Sequence, residues 1–125
     1  MSYCDADPPD FYTYSEPLAR KAHRCCECRA PILRGEKHLH ARGKWYDTIE
    51  SFRQHLLCCE ACELIRDRFF VGNCICFGGL KDEFADMRSD NWYQERDRYK
   101  EPWKQLRSLM ARILWRERRA SNGGT

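Results

Sequence analysis

Two cysteine pairs carry the clearest chemical signal in this chain: Cys25-x-x-Cys28 and Cys59-x-x-Cys62, each with two residues between its thiols. That spacing lets both sulfurs of a tight turn reach one cation. Four thiolates match the closed tetrahedron of a structural Zn2+, with sulfur about 2.3 Å from the metal. Thirty residues separate the pairs, enough for a hairpin. Merely buried, reduced cysteines would need no matched spacing, so the pattern predicts one structural zinc held by Cys25, Cys28, Cys59 and Cys62.

The remaining ligand-type residues are ordered around that site. The doublets Cys25-Cys26 and Cys58-Cys59 leave more than one register. Cys58 would give up the two-residue spacing to Cys62, so Cys59 is preferred and Cys26 is a bystander. Cys74 and Cys76 stand too close together to chelate one ion without strain, and they read as small packed hydrophobes; Cys4 reads as a free thiol. His38 and His40 alternate on a predicted strand and share a face, where they could meet metal or phosphate. With four cysteines already available, a surface or hydrogen-bonding role is favoured. His23 and His55 flank the pairs and could support the ligands from outside.

The elements that must position these thiols follow from local pattern. Residues 1–14 mix acids, prolines and aromatics without regular periodicity and read as an extended arm whose aromatics need a partner surface. Ser15, Glu16 and Pro17 have helix-start chemistry, predicting two turns over residues 16–23. Residues 24–34 form the first metal-binding turn, ended by Gly35. Leu39, Trp45, Tyr46, Ile49, Phe52 and Leu56, set among polar residues, predict two antiparallel strands reversing between Gly43 and Thr48. A helix over 59–71 then opens at the second cysteine pair, where exposed amides and the helix dipole favour thiolate charge. Residues 80–88 predict a short helix with Leu80, Phe84 and Met87 on one face. In a final helix with Pro102 in its first turn, Trp103, Leu106, Met110, Ile113 and Leu114 form an apolar stripe opposite Lys104, Arg112, Arg116 and Arg119.

Composition bounds the rest. The chain has 125 residues, a third of them charged, and a mean hydropathy of -0.79, so its own apolar core is limited and a metal staple helps. No run approaches the roughly 20 apolar residues of a membrane span, which predicts a soluble, cytoplasmic protein without a membrane partner. Nine cysteines without an export signal favour metal ligation over a disulfide scaffold. The expected organisation is an arm over 1–14, a single zinc-stabilised domain over 15–120 and a flexible tail over 121–125. Within the domain lie a zinc module, 20–73, and a helical part, 79–119. The fold class is α+β: a small treble-clef-like zinc finger of knuckle, hairpin and helix, extended by C-terminal helices.

Catalysis is disfavoured on chemistry. Zinc deaminases need a His-x-Glu beside the cysteine pair, and His38-Leu39-His40 and His40-Ala41-Arg42 lack the glutamate. An HNH-like nuclease would need a hairpin histidine base and a further histidine or asparagine ligand on the helix, and the predicted helix has neither. A site of four cysteines also leaves no open coordination position. The chain therefore reads as a binding module without enzyme activity. The favoured partner is a protein, met through Trp45, Trp103, Lys104, Arg112, Arg116, Arg119, Arg42 and Lys44, because Trp and Arg dominate interface hot spots. The alternative partner is nucleic acid. Residues 19–44 carry eight Lys or Arg against two acids, although acids elsewhere would oppose phosphate.

The stretch HRCCECRAPILRGEKHLHARGKWYD followed by CCEACELIRD resembles small zinc-binding proteins encoded by phages and prophages, over about residues 23–67. That resemblance implies a metal role for Cys25, Cys28, Cys59 and Cys62 and an origin on a mobile element. It implies no particular mechanism; taken with the small size, the closed metal site and the surplus aromatics, it leads to the expectation of a phage-type adaptor or inhibitor acting on a host protein such as a defence or replication factor.

Overall fold

Alternation of small or apolar residues with basic ones from His38 onward sets the central feature, a long hairpin. In the computed structural model, which describes residues 11–45, 47–69, 78–89 and 96–122, β4 (His38–Trp45) and β5 (Thr48–His55) pair antiparallel with His38 opposite His55 and Trp45 opposite Thr48. Asp47 makes the reversal with a positive φ of 66°, inside the predicted window. The strand β1 (Phe11–Ser15) adds to the free edge of β4, giving a three-stranded sheet in the order β1-β4-β5. Of the arm aromatics Tyr12 is half-buried against the chain's own fold, whereas Tyr14 stays 66% exposed; residues 1–10 and the side chain of Phe11 lie outside the described residues.

The two turns of helix expected over 16–23 do not form. Leu18 makes an isolated bridge to Lys37, the Ala19 amide donates to the Glu36 carbonyl, and the Gly35 amide donates to the Ala19 carbonyl. These long-range bonds satisfy backbone groups that a two-turn helix, short of the length at which helices stand alone, would have had to pair locally. The short pair β2 (His23–Arg24) and β3 (Pro31–Ile32) encloses the first cysteine turn, where Arg29 takes the left-handed φ of 67° that closes it.

Strand β5 runs directly into α1 (Leu56–Arg68), with His55 as the N-cap residue. The helix therefore starts three residues before the expected position. α2 (Leu80–Ser89) buries Leu80, Phe84 and Met87, the predicted face. α3 (Asp97–Asn122) begins five residues before Pro102 and carries it inside the helix, where the missing amide forfeits one backbone hydrogen bond. Its described buried side chains are Tyr99, Pro102, Trp103, Leu106, Leu109, Met110 and Ile113. Phe69 stacks on Tyr99 at 5.2 Å, and Phe84 stacks on Trp103 at 5.7 Å, joining the three helices around one apolar centre. Among the described residues no helix is long and apolar enough to cross a membrane.

Candidate metal centre

Three segments of the fold meet at one buried point. Cys25 and Cys28 come from the turn between β2 and β3, His55 from the last position of β5, and Cys58 from the first turn of α1. Their ligand atoms all lie within 4.8 Å of one another, and all four side chains are buried. The Cys25 and Cys58 sulfurs are 3.7 Å apart. The edge of a tetrahedron with about 2.3 Å Zn–S bonds is about 3.8 Å, so that separation already suits one ion. Cys28 Sγ lies 3.2 Å from His55 Nδ1, near the edge of about 3.6 Å expected for a mixed sulfur and nitrogen pair. Four buried Cys and His ligands placed this way could hold one metal ion.

The surroundings fit that role. His55 Nε2 donates to the Pro31 carbonyl at 3.0 Å, which orients the ring and turns Nδ1 toward the sulfurs. Cys25 Sγ accepts from the amides of Glu27 and His55, each at 3.4 Å, so backbone dipoles face its charge. Hydrogen bonds with Cys28 and Cys58 hold the Cys25 thiol far below its ordinary pKa, whereas the Cys58 thiol is pushed up, chiefly by its hydrogen bond to Cys25. Burial opposes the charged form of His55, but hydrogen bonds to Cys25 and Cys28 outweigh it and raise its pKa to about 10. The Cys25 sulfur thus carries buried negative charge that a divalent cation would neutralise.

The sequence-predicted ligands divide. Cys25 and Cys28 are in the cluster, but Cys59 and Cys62 are not. The reason is helical phase: with about 100° per residue, only one of two adjacent cysteines in the first turn can face the knuckle. Cys58 does. Cys59 is rotated away, its thiol 3.6 Å from Glu63, and burial raises its pKa to about 11. Cys62 follows Cys58 by one turn and is buried in the apolar core, its thiol held protonated by burial. Cys26 is a half-buried bystander beside the Glu27 carboxylate, as expected. His55, anticipated only as an outer support, supplies the fourth ligand atom. The signal was present, since His55-x-x-Cys58 has the same spacing as Cys25-x-x-Cys28. Cys4, Cys74 and Cys76 lie outside the described residues.

Glu27, between the first two ligands, was not anticipated as a structural residue. Its buried carboxylate accepts from Gln54 Nε2 at 2.7 Å, the Gly78 amide at 2.9 Å and the Leu80 amide at 3.0 Å. A carboxylate at the start of α2 meets orphan amides and the positive end of the helix dipole. The knuckle is thereby tied to β5 on one side and α2 on the other.

The predicted binding residues are also sorted by the fold. Trp103 is buried among the helices and offers no surface to a partner, because the apolar stripe of α3 packs on α1. Lys104 pairs with Glu101 at 3.7 Å, Arg116 with Glu36 at 3.8 Å, and Arg119 lies over the ring of Trp115 at 4.9 Å. Arg112 is exposed on α3, and Arg42 is exposed on β4, with Lys44 half-buried beside it. The side chain of Trp45 lies outside the described residues. His38 and His40 share a face of β4, as predicted. His38 is buried, its Nδ1 donating to the Glu36 carbonyl at 3.2 Å while Nε2 accepts from Arg53 Nη1 at 2.7 Å. No protein-family model matches the chain, and no match was found among curated proteins or solved structures.

Proposed function

We propose that the chain is a non-catalytic binding module whose shape is set by one structural zinc, in a treble-clef-like arrangement of knuckle, hairpin and helix. The observation that carries this reading is the buried quartet of Cys25, Cys28, His55 and Cys58, drawn from three segments with ligand atoms within 4.8 Å. Three thiolates and an imidazole favour zinc over hard cations, and four protein ligands would leave no position for a reacting water. Elemental analysis of the purified chain should return one zinc per molecule. Chelation should then abolish the cooperative melt; a metal-free chain that melts unchanged would defeat the reading.

What such a module does is hold an exterior in place for a host macromolecule, in keeping with a phage-type adaptor. Trp103, Tyr99, Phe84 and Phe69, part of the aromatic surplus that suggests a protein partner, are buried in the core. A protein partner remains as a second reading because Trp115, 58% exposed, lies under Arg119, and Leu33 is 61% exposed. Affinity capture with wild-type bait and a Trp115→Ala/Arg119→Ala control tests it: one partner retained only by the wild type supports the second reading.

A further inference from the structure

The register of the sheet sorts its charges by face. Residues directly opposite in an antiparallel pair project to the same side, and alternate residues to opposite sides. His38, His40, Arg42 and Lys44 of β4 share one side with Arg53 and His55 of β5 and with Thr13 and Ser15 of β1. Every basic side chain of the three strands is in that set. The only carboxylate in the strands, Glu50, pairs with Gly43 and projects to the other side. That other side carries Leu39, Ala41 and Tyr12, and Tyr12 is close enough to Cys59 and Arg66 of α1 to feel their charges. Leu39, Ala41 and Gln54 on that other side are buried, so at Arg42, Lys44 and Arg53 the basic side is the one turned from α1; only at its lower end do His38 and His55 turn into the buried interior beside the metal cluster.

Of the cations on the basic side, Arg42 is exposed, and Lys44 and Arg53 are half-buried. Arg53 is fixed by its bond to the buried His38, and Arg42 is exposed; among the described residues no carboxylate pairs with either. The His23 ring lies 5.8 Å from His38 at the lower end of this side, adding a second imidazole there. Thr13, Ser15 and Ser51, all exposed, add hydroxyl donors between the cations. Alternate residues of a strand are about 7 Å apart, and three strands span about 10 Å, so the cations line a shallow, narrow track. We propose that this side of the sheet binds the phosphodiester backbone of a single-stranded nucleic acid, with Arg42, Lys44 and Arg53 each meeting a phosphate. A track one backbone wide suits a single strand better than the convex, two-backbone surface of a duplex. The inference rests on the reading of the chain as a metal-structured binding module, since the metal centre holds the lower end of the hairpin.

The test is fluorescence anisotropy with a labelled oligonucleotide of mixed sequence, single-stranded and as a duplex, using zinc-loaded full-length chain. Three neutralised phosphates give a slope of about -2 for log affinity against log salt on a single strand, or a twenty-fold loss between roughly 50 and 200 mM salt. Arg42→Gln/Lys44→Gln leaves one contact, and the same change of salt should then cost only about three-fold. Arg53→Gln should weaken binding and Arg53→Lys should restore most of it. Arg107→Gln/Arg118→Gln on α3 removes the same net charge elsewhere and should leave affinity unchanged. Zinc content and melting temperature are read on every sample. A zinc-loaded, normally melting chain that does not bind at low salt, an equal loss in the α3 control pair, or tighter binding of duplex would each overturn the inference while the metal reading stands. A metal-free but folded sample would defeat that reading instead, and the variant comparison would then decide the sheet surface directly.

Discussion

Exchanging Cys58 or Cys59 for serine separates two metal centres that differ by one residue in helical phase. The Cys58 sulfur is 3.7 Å from Cys25 and buried, whereas the Cys59 sulfur is half-buried and 3.6 Å from Glu63. Structural zinc sites of this type contribute about 10 to 16 kcal/mol of apparent binding energy, so one ligand in four is worth about 2.5 to 4 kcal/mol. That corresponds to a few hundred-fold in zinc affinity, at about 1.4 kcal/mol per factor of ten. At fixed free zinc the folded state loses the same amount by mass action, a large part of a total near 5 to 15 kcal/mol. Cys58→Ser should therefore lower the melting temperature by roughly 10 °C or more. Cys59→Ser removes a thiol with no ligand partner and should stay within about 0.5 kcal/mol of wild type. The assay is thermal denaturation at a buffered zinc concentration and again in excess chelator, with zinc counted by elemental analysis. In chelator neither chain should melt cooperatively and the difference between Cys58→Ser and wild type should vanish, because neither then has metal to lose. Loss of zinc from Cys59→Ser with retention in Cys58→Ser would refute the geometry. A gap that persists in chelator would assign Cys58 to packing rather than coordination.

Three further expectations use the same fold. His55→Ala should lose zinc about as severely as Cys58→Ser, while His55→Cys should retain it, read by metal stoichiometry on dialysed protein; His55→Ala that keeps one zinc would remove the imidazole from the site. Glu27→Ala would leave the Gly78 and Leu80 amides and the Gln54 amide group without their acceptor, at a cost of about 3 kcal/mol or more, seen as a lower denaturant midpoint. Glu27→Gln, which keeps an acceptor oxygen, should cost less. Burial raises the Tyr12 pKa from 10.0 to about 12, so the folded state holds the phenol proton more tightly than the unfolded chain. The sign follows: this contribution is constant below pH 10 and stability falls as pH rises from 10 toward 12. Tyr12→Phe should flatten that part of the stability profile in denaturant titrations across the window, and an unchanged slope would contradict the burial.

Much of this arrangement is legible in residue order because it depends on periods and spacings. The two-residue gap of Cys25 and Cys28 specifies a knuckle, and the alternation from His38 specifies a strand with both histidines on one side. The three- and four-residue steps of Leu80, Phe84 and Met87, and of Trp103, Leu106, Met110 and Ile113, specify the buried helix faces. What escaped was whatever depends on where one element hands over to the next. Because β5 passes into α1 without a loop, His55 is both the end of a strand and the cap of a helix, and the phase set at that junction turns Cys58 inward and Cys59 out. A pattern of spacings is blind to that phase, since Cys59-x-x-Cys62 and His55-x-x-Cys58 are equally good chelating intervals. Residues 16–22 show the same effect from the other direction, where helix-start chemistry yields to backbone hydrogen bonds with Gly35, Glu36 and His38 that only the folded chain can offer. Glu27 belongs to this class as well, because an acid in a basic stretch becomes a buried clamp only when the start of α2 and the residues before it bring the Gly78 and Leu80 amides within 3.0 Å.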